Sequence, residues 1–186
     1  VKSKNFFQKD GANARDLRKA FGYQINEAVQ NTNNIIVALG GNGYDYASYL
    51  AKDILTNAPE SANITWIMAP PNNTPTNESA YKAKKLSPSF QEAVNVSFIE
   101  NKRKMRESYN DKIYAGIKAI DKYDRINIID PFPWFEANNI TESEDGVHVD
   151  DEVGSRFISS ISSSLTPISN DDLLAFKDNL LDDESD

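Results

Sequence analysis

The chain of 186 residues carries a net charge of −8 and a pI near 4.7, so its overall field repels nucleic acid and anionic lipid. That length sustains one substantial core, and no apolar run is long enough to cross a bilayer. With no cysteine, disulfides, thiolate metal sites and a cysteine nucleophile are all excluded.

In chain order, Val1 to Phe7 is a weak candidate strand, ending in the turn Asp10-Gly11-Ala12-Asn13. Ala14, Leu17, Phe21, Ile25 and Ala28 recur at helical spacing and predict a helix. Ile35 to Leu39 is a β-branched strand that stops at Gly40-Gly41-Asn42-Gly43, and Tyr46, Leu50 and Ile54 mark a shorter helix behind it. Ile64 to Met68 is the next strand, closed by Pro70-Pro71-Asn72-Asn73. Residues 70 to 99 have weak periodicity and read as a long loop holding at most a short helix, a length that in compact domains usually marks function or motion.

Met105, Tyr109, Ile113, Ile117 and Ile120 form a second long stripe, followed by the strand Ile126 to Ile129 and a proline-rich connection. Val153, Phe157, Ile161 and Leu165 predict the last strong helix. Short strands alternating with helices predict an α/β fold with a mostly parallel sheet and helices on both faces, a three-layer α/β/α sandwich over residues 1–168. Residues 169–186 differ in character: Leu173, Phe176 and Leu180 make a short amphipathic stretch before the acidic tail Asp182 to Asp186. A packed terminal helix is the simpler account of it, and a partner-docking helix the sharper one. The triplets at Asn63, Asn72, Asn77, Asn95 and Asn139 fit the glycan-acceptor pattern, but a chain this rich in Asn, Ser and Thr produces them by chance. The sequence as given opens without a basic or apolar leader, so no signal peptide is visible in it; a soluble protein is expected, and the compartment stays open.

Three short stretches could carry chemistry. His148 is the only histidine and stands three residues after Asp145, ahead of the last helix. An imidazole can take a proton from a hydroxyl near neutral pH, and a neighbouring carboxylate can hold its tautomer. By position the pair belongs at the carboxyl edge of the sheet, where α/β proteins bind ligands. Gly40 and Gly41 turn the chain sharply at a strand end and set the Asn42 amide where it could donate to a developing oxyanion. Tyr46 stands where a G-x-G-x-x-G pattern from Gly41 would need glycine, and no Gly-Lys-Ser/Thr exists, which argues against nucleotide binding. Gly11, before the first helix, offers a backbone N–H near a helix N-terminus.

Together these stretches resemble the SGNH (GDSL-like) hydrolase family. Gly11 is similar to its second sequence block, Gly40-Gly41-Asn42 to its third and Asp145 with His148 to its fifth, while Trp66 to Pro71 resembles the strand and proline turn after the third. The resemblance implies a flavodoxin-like sheet, with His148 as general base, Asp145 orienting it, and Gly11 and Asn42 in the oxyanion hole. It further implies hydrolysis of a small carboxylic ester or acetylated carbohydrate, with no metal and no cofactor. Two departures stand out: Gly43 takes the place of the third block's usual aspartate, and no Gly-Asp-Ser nucleophile block occurs in the chain. Ser3 lies on the wrong strand, and the serines of 159–164 suit a helix's polar face, so the nucleophile stays unassigned. Either the serine lies on a segment outside this sequence, or the domain is a catalytically inactive module with a binding or assembly role. In the resembled fold the absent block belongs to an interior strand between Val1 to Phe7 and Ile35 to Leu39, so another polypeptide segment or subunit is expected to complete the sheet, the alternative being that Val1 to Phe7 shifts inward and leaves it one strand shorter.

Overall fold

The computed structural model describes residues 6–9 and 11–165. Among these residues there are five strands, β1 (Asn34–Ala38), β2 (Asn63–Ile67), β3 (Thr74–Pro75), β4 (Ile126–Ile129) and β5 (Glu142–Ser143), and seven helices. The helices are α1 (Ala14–Val29), α2 (Ala47–Asn57), α3 (Glu78–Ala83), α4 (Phe90–Ala93), α5 (Val96–Ile120), α6 (Phe132–Ala137) and α7 (Asp151–Ile161). A 3₁₀ turn, Ser162–Ser164, follows the last.

The main sheet is parallel, in the order β1-β2-β4, with Ile35 opposite Ile64 and Ile64 opposite Ile126. Successive side chains of a strand point to opposite faces, and the two hydrophobic clusters follow that alternation. Ile35, Ile64, Trp66 and Ile126 pack with Leu17 and Ile25 of α1, Leu50 and Ile54 of α2, and Ile113 and Ile117 of α5. Ala38 and Ile67 turn the other way, onto Phe135 of α6 and Phe157, Ile158 and Ile161 of α7. The central strand is covered on both sides, with Thr65, Trp66 and Ile67 all 0% exposed, as parallel strands with helices on both faces require.

Local chemistry sets the element ends. Asn13 accepts the Asp16 N–H through its side chain while Asp16 accepts the Asn13 N–H, a reciprocal capping box that starts α1. The buried Asp121 carboxylate accepts the N–H groups of Arg125 at 2.9 Å and Ile126 at 2.7 Å, pinning the turn that feeds β4.

Several expectations need correction. Phe6 and Phe7 lie outside any strand, and Phe7 instead packs on the Phe21 ring at 5.6 Å; the rest of the expected first strand, with Ser3, lies outside the described residues. Residues 70–99 hold β3, α3, α4 and the start of α5 rather than a long loop. The proline-rich connection after β4 is the helix α6, whose Pro131 and Pro133 sit near its start, where a missing N–H costs nothing. The stripe of α5 is also rotated: Arg106, Asn110, Ile113 and Ile117 are buried, while Met105 is 39% exposed. The amphipathic stretch beyond residue 168 lies outside the described residues.

Candidate functional site

The turn between β5 and α7 carries Asp145 and His148, and their contact is direct. Asp145 Oδ2 lies 2.8 Å from His148 Nδ1, while Asp145 Oδ1 accepts the backbone N–H of His148 at 2.8 Å and of Val147 at 2.9 Å. Burial by itself would raise the Asp145 pKa, but the bonds from the His148 ring and the two N–H groups outweigh it and hold the carboxyl at about 2. An ionised carboxylate only accepts, so the proton sits on Nδ1 and the Nε2 lone pair remains available as a base. Lys84 Nζ stands 3.8 Å from the same Oδ2.

Residues the sequence did not single out hold this turn in place. Ser143 is buried, and its Oγ accepts the Gly146 N–H at 3.0 Å; Asp150 Oδ1 accepts the Glu144 N–H at 3.1 Å. The strand β5 pairs with β3 in a two-stranded parallel sheet, and N–H groups of Thr74, Thr76 and Asn77 extend that ladder to Thr141, Ser143 and Glu144. Gly146 comes so close to β3 that a Cβ on it would sit 2.8 Å from Pro75 Cβ and Cδ, and its φ of +78° is one that side chains disfavour. The turn is therefore locked to the segment leaving the carboxyl end of β2.

A second group of predicted residues gathers at the carboxyl end of β1. Gly40 has a φ of +152°, and a Cβ there would meet Ala69 N at 3.1 Å and Asn110 Oδ1 at 3.2 Å. Gly41 and Asn42 follow, and Asn42 lies against the turn that begins at Gly11. The Asn42 side chain donates to the Ala12 carbonyl and the Asn13 side chain to the Asn42 carbonyl, both at the long distance of 3.5 Å. The expected second and third blocks are thus neighbours. Gly41 also lines a cavity shared with Gly146 and Val147, where the β1 turn and the Asp145 to His148 turn face common space.

The wall of that cavity depends on α5. Asn110, 2% exposed, accepts the Ala69 N–H at 3.3 Å and donates to the Ala69 carbonyl at 2.9 Å, while Arg106 donates to the Pro70 carbonyl at 3.0 Å. One helical turn apart, these two side chains satisfy the backbone just after β2. A trace of them lay in the sequence, because positions 106, 110, 113 and 117 have helical spacing. Their polarity hid it, since apolar residues at 105 and 109 offered an equally regular stripe.

Comparison with protein-family models, with curated proteins and with solved structures found no match. The functional reading therefore rests on geometry. Among the described residues no group of three His, Asp or Glu side chains is placed to hold a metal ion, and no helix is long and apolar enough to cross a membrane. The His148 ring bonds Asp145, Ser160 in α7 donates to the Phe157 carbonyl, and Ser162 in the following 3₁₀ turn donates to the Ser159 carbonyl. These two hydroxyls bond the chain's own backbone.

Proposed function

We propose that this chain is an ester-hydrolase domain of the SGNH type, contributing the base and oxyanion side of the site to a serine carried on a segment outside the sequence. The Asp145 to His148 hydrogen bond carries this reading. A carboxylate held at about pKa 2 fixes the Nδ1–H tautomer and can stabilise the imidazolium that forms when Nε2 accepts a proton. In the reaction Nε2 would take the serine proton as its oxygen attacks the ester carbonyl, then return it to the leaving alkoxide; water would repeat the sequence to release the acid. Gly11 and Asn42 would face the oxyanion, and the substrate would be a small carboxylic ester or acetylated carbohydrate. The neighbouring placement of the Gly11 and Asn42 turns, and the cavity shared by Gly41 and Val147, support these roles.

Sites that lose only their nucleophile keep residual catalysis, roughly 10³-fold over water, from the oxyanion hole and binding. The chain should accordingly turn over p-nitrophenyl acetate weakly. Asn42→Ala should lower that rate by about 10²-fold, the typical cost of one oxyanion donor, whereas His148→Ala, with no serine left to activate, should change it little. The asparagine variant is decisive, because any accessible histidine can attack an activated ester but an amide cannot. Equal rates for Asn42→Ala and the parent chain would defeat the hydrolase proposal. The inactive binding or assembly module would then be preferred.

A further inference from the structure

Asn42-Gly43 is the one Asn-Gly step in the sequence, and every other asparagine is followed by a residue that carries a Cβ. Asparagine is thermolabile because the next residue's backbone nitrogen can attack its side-chain amide, and a following glycine leaves that approach open. The step falls in the turn at the carboxyl end of β1, where the Gly43 N–H reaches back to the Gly40 carbonyl with Gly41 and Asn42 between them. That bond is 3.3 Å long, beyond the usual range for an amide donor. Gly43 has a φ of +108°, and a Cβ placed on it would meet no described atom within 4 Å. Asn42 and Gly43 are both half-buried, so water reaches the turn.

The step Asp145-Gly146 is built in the opposite way. Its Gly146 N–H donates to Ser143 Oγ at 3.0 Å, and the glycine is wedged against Pro75. Both Asp145 oxygens accept hydrogen bonds, and an ionised carboxylate resists nucleophilic attack. Among the described residues, only Asn42-Gly43 therefore combines a reactive amide with an uncrowded glycine.

We propose that Asn42-Gly43 is a site of spontaneous modification, at which the Asn42 amide is converted to a carboxylate, partly as isoaspartate. The Gly43 nitrogen bonds to Asn42 Cγ while the Cγ–Nδ2 bond breaks. Ammonia leaves with the proton that the Gly43 nitrogen gives up, and a cyclic imide remains. Water then opens the imide at Cγ, giving aspartate, or at the main-chain carbonyl, giving isoaspartate. Either product replaces a neutral N–H donor with a negative charge, which repels an oxyanion formed beside it. That loss of function rests on the hydrolase proposal, whereas the modification itself does not.

Incubating the full folded chain at mildly alkaline pH and mapping its peptides by mass spectrometry tests this. The peptide carrying Asn42 should gain the mass difference between an amide and an acid before any other asparagine peptide does, and its aspartate and isoaspartate forms should separate chromatographically. Conversion of Asn42 only after unfolding in urea would overturn the proposal, since the fold, with the Ala12 carbonyl bonded to this amide, would then be holding it out of reach. Gly43→Ala should slow conversion by at least about tenfold, in the folded chain and in urea alike. The measurement in urea keeps the comparison valid where the substitution disturbs the turn, and an unchanged rate there would overturn the imide route. Converted chain should turn over p-nitrophenyl acetate about 10²-fold more slowly than fresh chain, as Asn42→Ala should. Unchanged turnover in converted chain would count against Asn42 as an oxyanion donor and leave the modification standing, so the two proposals fail separately.

Discussion

At the residue scale, Asp145 links the candidate chemistry to stability. Its folded pKa of about 2 lies below the ordinary 3.8, so the stabilisation is fully present above about pH 4 and is lost as pH falls toward 2. The shift corresponds to on the order of 2 kcal/mol. Asp145→Asn should forfeit about that much at pH 7 and should flatten the fall in stability between pH 4 and 2. Urea unfolding of both chains at pH 6 and pH 3 checks this: the gap between their midpoints should shrink at the lower pH. A gap that stayed constant would show that the carboxylate's charge contributes nothing to the fold.

At the scale of elements, the informative pairing is α5 with the segment leaving β2. Asn110 meets both the N–H and the carbonyl of Ala69, a match that a side-chain amide can make and an apolar side chain cannot. Asn110→Leu should leave two buried backbone groups unsatisfied, each costing about 1–3 kcal/mol, and should loosen the wall against which Gly40 packs. Chemical denaturation should register a loss of about 2–5 kcal/mol for the pair, at the high end for a single substitution. Faster amide exchange at Ala69 would identify the cause; loss of stability with Ala69 still protected would place it elsewhere.

At the scale of the whole molecule, the main sheet has three strands among the described residues. Among the described residues β1 pairs with β2 on one side and with no strand on the other. An edge of this kind is a template for a further strand. We propose that a segment of another polypeptide pairs there, next to Gly40 and Asn42, where the resembled fold would bring its nucleophile. Binding of a partner makes melting depend on concentration through mass action. Heating the purified chain at several concentrations, followed by circular dichroism and sedimentation, should therefore show association and a melting temperature that rises with concentration. A monomer that melts cooperatively at one temperature throughout would mean that the three strands suffice.

Much of the architecture was legible in the chain itself. Strands β1 and β2 begin and end within a residue of the β-branched runs that predicted them, and Ile126–Ile129 coincides, because short apolar runs bounded by glycine and proline suit buried strands. The Asp145 and His148 spacing likewise sufficed to anticipate their pairing, since three residues on a turn keep both side chains in reach. Contacts between distant segments were not legible. The strand β3 is two residues long and exists because β5 lies beside it, and Gly146 is demanded by Pro75, seventy-one positions away. Arg106 and Asn110 lie outside the apolar stripe read for α5, and their burial follows from the backbone groups of Ala69 and Pro70 that they satisfy. By itself the sequence determined the alternation of strands and helices and the local Asp145 to His148 pair. Which polar side chains are buried, and which turns share one cavity, only the tertiary structure decided, because a buried hydrogen bond is set by a partner that local periodicity does not encode.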